Sequence, residues 1–246
     1  MADVDLAPWP LPPVAIASTR AAALARIIAR LVVEARLEPD TTAPDYAQRA
    51  MRTARTILQV HGVDLRSSGP QPGGPAILVA NHLSYLDPLV VSAVVPCVAI
   101  AKGETHQWPI IGRGLRALGV LFVQRGDAYS GAMTLRRAWS ALSEGATVLN
   151  FPEGTTSDGT SVGPFQRGIF GLSRLAGVPI VPVRITYDDP RVPWFGRDRF
   201  APHYWRLAGS QGVVARVRLG EPIVPRPTDD AAALARRARE IIGSLQ

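Results

Sequence analysis

The sequence predicts an α/β protein in which a mainly parallel central sheet is flanked by helices and preceded by an N-terminal two-helix arm. Three observations carry this. From Pro75 onward, short apolar runs rich in Val, Ile and Leu alternate with segments of helical periodicity, the pattern of strands buried between helices. A chain of 246 residues at 47% hydrophobic is long enough for one sizeable core. His82, Arg125 and Glu153 each fall just past the carboxyl end of a proposed strand, where sheets of this kind hold ligands. The strands are assigned from apolar runs alone, so that coincidence independently supports one shared site.

Taken in order, residues 7–13 are too rich in proline for a helix and should be extended. Residues 14–36 read as a helix, with Leu24, Ile27, Ile28 and Leu31 at helical spacing and Arg26 and Arg30 opposite. That face suits either a membrane interface or the protein's own core. Asp40 to Pro44 is a turn. A second helix over 46–60 should bury Met51, Ala54, Leu58 and Gln59 and expose Arg49, Arg52 and Arg55. The Pro/Gly-rich stretch Ser67 to Gly74 divides an arm, residues 1–68, from an α/β domain, residues 69–246. Strands are expected at 76–80, 97–101, 120–124, 147–151, 180–186 and 213–219. Helices are expected at 84–95, 108–117, 131–144, 165–176 and 229–245. No internal repeat or low-complexity tract interrupts the pattern.

The formal charge of +7 points to an anionic partner. Of 27 basic residues only Lys102 is lysine; arginine's planar fork suits phosphate and carboxylate, although base composition of the gene gives the same skew. The arginines are scattered, with no zinc-finger spacing or basic stripe, so no nucleic-acid partner is expected. Cys97 is the one cysteine and lies in an apolar run. It excludes an intramolecular disulfide framework and reads as a small buried hydrophobe. Met1 to Asp5 carries acids where a signal peptide has bases. The uncharged runs are short of the ~20 residues of a bilayer span. A cytoplasmic protein is expected, peripheral on the inner face of the membrane, its surface partner anionic lipid.

The richest stretch is Ile77-Leu-Val-Ala-Asn81-His82-Leu-Ser-Tyr-Leu-Asp87. A strand ends in an imidazole, with a carboxylate about one helical turn onward. A carboxylate bonded to one ring nitrogen leaves the other free to accept a proton. Three blocks follow: Gly119-Val-Leu-Phe122-Val-Gln-Arg125, Phe151-Pro-Glu153-Gly154-Thr155-Thr156-Ser157, and Val178-Pro-Ile-Val-Pro182. Together they resemble the four motif blocks of the glycerolipid acyltransferases, typified by 1-acyl-glycerol-3-phosphate acyltransferase. Asn81, His82 and Asp87 match the first, Gly119, Phe122 and Arg125 the second, Pro152 to Thr155 the third, and Val178 to Pro182 the fourth. The resemblance covers about Ala76 to Pro182.

The resemblance implies transfer of an acyl group from acyl-CoA or acyl carrier protein to a lysolipid hydroxyl, without a cofactor and without an acyl-enzyme. His82 would deprotonate the hydroxyl and Asp87 would orient it. Arg125 would bind the acceptor's phosphate, with Lys102 adding to that anion site. Glu153 would accept from the glycerol hydroxyls, with Gly154, Thr155, Gly119 and Phe122 completing the acceptor site. Backbone N–H groups just after Asn81 are candidates for the oxyanion. One position departs from the family: its third block usually reads Glu-Gly-Thr-Arg-Ser, and Thr156 stands for the arginine. The resemblance still implies 1-acyl-glycerol-3-phosphate first as acceptor, with lyso-ornithine lipid or another lysophospholipid as the alternative, since relatives acting on other lysolipids, including lyso-ornithine lipid, resemble this sequence in carrying a hydroxyl residue there. Rivals are a serine esterase, since Gly159-Thr-Ser161-Val-Gly163 precedes Asp188 and His203, and a non-catalytic lipid-binding protein. A nucleophile elbow needs its serine on a strand-to-helix turn, and Ser161 lies well beyond its strand. Trp194 to Trp205 is either a lid over the site or a folded surface excursion.

Overall fold

A computed structural model describes residues 14–38, 41–196 and 198–245; the proline-rich stretch 7–13 lies outside them. Helices α1 (Val14–Leu37) and α2 (Ala43–Val60) lead into β1 (Val63–Ser68). Then come β2 (Ile77–Ala80), α3 (Asp87–Val94), β3 (Cys97–Lys102), a short 3-10 helix (Gly103–Gln107), α4 (Ile111–Ala117) and β4 (Leu121–Val123). After them follow α5 (Ala128–Ser143), β5 (Thr147–Asn150), α6 (Gly168–Ala176), β6 (Ile180–Tyr187), α7 (Phe200–Ala208), β7 (Val213–Leu219) and α8 (Ala231–Ser244). The seven strands form one sheet in the order β1-β7-β6-β2-β5-β3-β4. β6, β2, β5, β3 and β4 run parallel, β7 pairs antiparallel with β6, and β1 pairs parallel with β7.

Every residue of β2 is buried, as expected of a central parallel strand covered on both faces. One face sends Ile77, Val79, Val148 and Ile180 against α5, α6 and α8. The other sends Leu78, Ala80, Leu149, Val183 and Ile185 against α2 and α3. This double cover fixes the carboxyl ends of β2, β5, β3 and β4 relative to one another, and the site is built there.

β1 lies on the arm side of the boundary expected at residue 68, in a stretch where no strand is expected. Its residues Asp64, Arg66, Ser67 and Ser68 are polar and exposed, so no apolar run announces it. Such polarity protects an edge strand from pairing with another chain. Its register with β7 runs from Val63↔Val213 to Ser68↔Arg218, so the arm enters the sheet itself. Arg49 is also corrected: it is buried, with its guanidinium on the Ala117 carbonyl and the Glu38 carboxylate. α2 buries Ala47, Ala50, Ala54, Ile57 and Leu58 instead of Met51 and Gln59. α1 packs on α4 and α7 and buries Ala17, Ile28 and Leu31.

Candidate active site

At the end of β2 the Asn81 side chain takes the place of a strand residue. Its Oδ1 accepts from the Ile185 N–H at 2.8 Å and its Nδ2 donates to the Ile185 carbonyl at 3.0 Å. The backbone thereby leaves the sheet with its polar groups satisfied, and His82 follows. α3 begins at Asp87, later than the expected residue 84, because the intervening N–H groups bond the Asp87 side chain. Oδ2 accepts from His82 Nδ1 at 2.8 Å, Leu83 N–H at 2.5 Å and Ser84 N–H at 2.9 Å. Oδ1 accepts from the Tyr187 hydroxyl at 2.7 Å. Asp87 is fully buried, and a buried carboxylate requires such a set of donors. Burial, with Asp87 alongside, pushes the Tyr187 phenol well above its ordinary value, which keeps it a donor. With Nδ1 donating to a carboxylate, Nε2 presents a lone pair. The ring stacks on Phe151 at 4.2 Å between centroids and lines the main cavity.

That cavity has a volume of about 960 Å³, ample for a lipid chain and a head group. Lys102, Glu104, Arg125, Thr155 and Thr156 are among the polar residues that line it. Burial lowers the pKa of Arg125 and Glu104 opposes the shift; a guanidinium stays charged regardless. Lys102 Nζ lies 2.9 Å from Glu104, whose carboxyl is held below the usual range by that contact and by Arg125. Leu24 and Ile28 of α1, with Leu86, Ile111 and Leu115, make an apolar part. Of the stretch Trp194 to Trp205, residues 194–196 and 198–199 lie before α7 and residues 200–205 form its first part. Phe200 meets Tyr85, Trp108 and Tyr204 at centroid distances of 5.0, 4.6 and 5.7 Å, walling the cavity with aromatic rings.

Residues 57–186 match the acyltransferase family, more than half of the chain. The chain belongs to that family. It is similar to the lyso-ornithine lipid O-acyltransferase of Pseudomonas aeruginosa, at 34% identity over 73% of this chain and 70% of the relative. The enzyme of that name from Brucella abortus is 30% identical, over 78% of this chain and 79% of its own. The 1-acyl-sn-glycerol-3-phosphate acyltransferase of Neisseria meningitidis serogroup B is 28% identical, over 84% of each chain. Among solved structures, the 1-acyl-sn-glycerophosphate acyltransferase PlsC of Thermotoga maritima superposes with a TM-score of 0.62 at 23% identity, over 80% of this chain and 76% of that one. The protein is therefore an O-acyltransferase of lipid biosynthesis, with the mainly parallel fold that the sequence predicts.

In this acyltransferase, His82, Lys102, Arg125, Gly154 and Thr155 line one cavity, and Asp87 stands directly behind His82. Glu153, Gly119 and Phe122 are placed otherwise. Both Glu153 oxygens accept from backbone: Oε1 from His82 N–H at 2.9 Å and Oε2 from Gly163 N–H at 2.8 Å. It is off the cavity lining. Gly119 has φ +69, and a Cβ there would stand 2.5 Å from the Tyr46 ring, so this glycine lets α2 pack against the turn before β4. Phe122 lies against His106 at 5.2 Å between centroids. The expected oxyanion donors after Asn81 are also committed, since the N–H groups of residues 82, 83 and 84 bond Glu153 and Asp87.

The esterase constellation does not assemble. Asp188 Oδ1 accepts from Val214 N–H, His203 contacts the Tyr85 hydroxyl and the Arg191 carbonyl, and Ser161 is exposed and outside the cavity lining. The Cys97 thiol is buried and pushed up to about 12, which makes it inert. Tyr187 was legible and missed: it ends β6, so the strand-end rule that selects His82 applies to it. Among the described residues, no cluster of His, Cys, Asp and Glu could hold a metal ion, and no helix is long and apolar enough to cross a membrane.

Proposed function

We propose that this acyltransferase moves a fatty acyl group from an acyl thioester to the free hydroxyl of a lysolipid, with His82 as general base. The observation that carries the reading is the 2.8 Å contact of His82 Nδ1 with buried Asp87, beside a cavity that also holds Arg125. Nε2 takes the hydroxyl proton as the oxygen attacks the thioester carbon. Asp87 holds the ring and stabilises the imidazolium, and the Tyr187 hydroxyl, donating to Oδ1, fixes the Asp87 carboxylate in place. The tetrahedral oxyanion collapses, the C–S bond breaks, and the proton passes from Nε2 to the leaving thiolate. The backbone N–H groups of Thr155 and Thr156 take the oxyanion: both residues line the cavity and neither N–H bonds another described residue. Arg125 binds the anionic part of the acceptor head group. The donor is acyl-CoA or acyl carrier protein, and the enzyme works at the inner face of the membrane on anionic lipid.

For the acceptor, 1-acyl-glycerol-3-phosphate is the reading that the four blocks support. Lyso-ornithine lipid is the second, favoured by Thr156 in place of the family's arginine and by the relatives of that name at 34% and 30% identity. Purified enzyme given both acceptors with one acyl thioester, read by mass spectrometry, decides between them. His82→Ala is expected to lower kcat/KM at least ~100-fold with the fold intact, the usual scale of lost general-base help. Asp87→Asn should lose a similar amount by removing the negative charge that stabilises the imidazolium. Activity within threefold of the parent in His82→Ala would refute the mechanism.

A further inference from the structure

Asn150, the last residue of β5, plays no part in the proton transfer assigned above. Its chain neighbours Leu149 and Phe151 are buried, and asparagine is depleted in strands, so its place here asks for a reason. Its carboxamide lines the catalytic cavity, makes no hydrogen bond to another described residue, and is not sealed in the core. Thr134, in the same lining, differs: its hydroxyl is taken up by the Phe122 and Ser130 carbonyls at 3.0 and 2.9 Å. A second free carboxamide belongs to the same strand end. The Gln166 N–H donates to the Pro152 carbonyl at 2.9 Å, and its Nε2 lies 3.1 Å from where a Cβ on Gly154 would stand. Gln166 also lines the cavity, and its side chain bonds no other described residue.

The sheet order gives these amides their meaning. β2, β5, β3 and β4 are successive neighbours, and Val79 of β2 pairs with Asn150. His82 follows β2, Lys102 ends β3 and Arg125 lies just past β4. β5 therefore ends between the base and the two cations. An acceptor with its hydroxyl at His82 and its anion at Arg125 lays the atoms that join them across the end of β5. What joins them differs between the two acceptors. In a glycerol phosphate it is carbon and ester oxygen, which can only accept. In lyso-ornithine lipid the hydroxyl stands on an acyl chain linked to the amino acid by an amide, which both donates and accepts. A carboxamide has the same two groups; it meets an amide with both, whereas an ester oxygen leaves Oδ1 without a donor. We propose that Asn150, assisted by Gln166, binds an amide between the reacting hydroxyl and the anionic end of the acceptor, which makes an N-(3-hydroxyacyl) amino acid the acceptor class. The proposal rests on the acyl-transfer reading above and names the residues that select between its two acceptors.

The test gives purified enzyme one acyl thioester and a pair of short-chain acceptors: N-(3-hydroxyacyl)ornithine and its counterpart with an ester oxygen in place of the amide N–H. A site built to bond an N–H discriminates against the analogue that lacks it. The parent should prefer the amide by at least ~10-fold in kcat/KM, tenfold being about 1.4 kcal/mol. Asn150→Leu and, separately, Gln166→Met keep side-chain size and remove the hydrogen bonds. Both should cut the preference, Asn150→Leu to about threefold or less. Thermal melts verify that each variant folds, and Gln166, at an exposed position, keeps the test open if Asn150→Leu does not. The ratio decides, because a merely structural change slows both acceptors together and leaves it unmoved. A parent without the preference, or a ratio unmoved in both variants, overturns the proposal. Turnover of 1-acyl-glycerol-3-phosphate with neither member of the pair accepted also overturns it, and acyl transfer stands. If no acceptor is acylated, acyl transfer fails and melting temperatures decide the amide site. Stabilisation of the parent by the amide acceptor beyond its ester counterpart, lost in the variants, upholds the site; equal stabilisation by the two overturns it.

Discussion

His82 is held from two sides, and the two holds differ in kind. Asp87 grips the ring, while Glu153 grips the backbone N–H of the same residue at 2.9 Å and ties it to the Gly163 loop. A carboxylate can accept from both N–H groups, whereas a glutamine must turn its NH₂ toward one of them. Glu153→Gln is therefore expected to lower kcat ~10- to 100-fold while the acceptor KM stays within twofold. If Glu153 instead contacts the acceptor's hydroxyls, KM rises and kcat falls less, so kinetics over a range of acceptor concentrations separates the two roles. The difference was beyond the sequence. Residues 82 and 153 are 71 positions apart, and spacing along a chain cannot show which way a side chain turns. The His82 to Asp87 contact was legible because both ends lie within one turn-and-helix segment. Arg125 was legible because it ends a strand.

The same division holds for the elements. Strands with buried apolar runs were readable; β1 and α7 were not. β1 alternates polar residues at a sheet edge, and α7 begins within an aromatic stretch whose helical faces are set by tertiary contacts. Two histidines fasten α7. His61, at the end of α2, contacts the Ile57 carbonyl through Nδ1 and the Tyr204 hydroxyl through Nε2 at 3.1 Å. His203, on α7, meets the Tyr85 hydroxyl at 3.0 Å and the Arg191 carbonyl at 3.2 Å. Each ring is placed to donate to a carbonyl and accept from a hydroxyl, the pattern of a neutral imidazole. Burial lowers the pKa of both; for His61 the nearby Arg20 adds to that, and for His203 Arg206 does. Below the unfolded value of about 6.5 the unfolded chain binds more protons than the folded one. Stability is thus full above that pH and is lost as pH falls toward the lowered folded values. The melting temperature should drop between pH 7.5 and 5.5, a window above the range where the carboxylates titrate. The drop should shrink in a His61→Asn, His203→Gln variant measured in the same buffers. An equal drop in parent and variant would place the proton uptake elsewhere.

At the scale of the whole molecule, the arm serves two surfaces with one helix. The inner stripe of α1 buries Ala17, Ile28 and Leu31 against the domain, and Leu24 and Ile28 reach the cavity. The packing alternative for this helix is thus realised, yet it leaves the outer stripe unassigned. Arg26, Arg30, Val33 and Leu37 recur there at helical spacing, with Val33 and Leu37 53% and 76% exposed. A stripe of cations and apolar side chains on a helix that also walls the cavity would bring a lipid surface next to the opening through which a lysolipid enters. The formal charge of +7 adds a long-range attraction to anionic lipid. Sedimentation with phosphatidylglycerol vesicles should therefore be strong at low salt and weaken as salt rises, and neutral vesicles should bind poorly. Burying two aliphatic side chains is worth about 1.5–3 kcal/mol each at most, so Val33→Asp with Leu37→Asp should weaken vesicle binding by at least ~10-fold. Turnover of a short-chain acceptor dissolved in water should not change, because neither residue lines the cavity. Loss of that soluble turnover would mean that the outer stripe supports the fold and leave the membrane contact to another face.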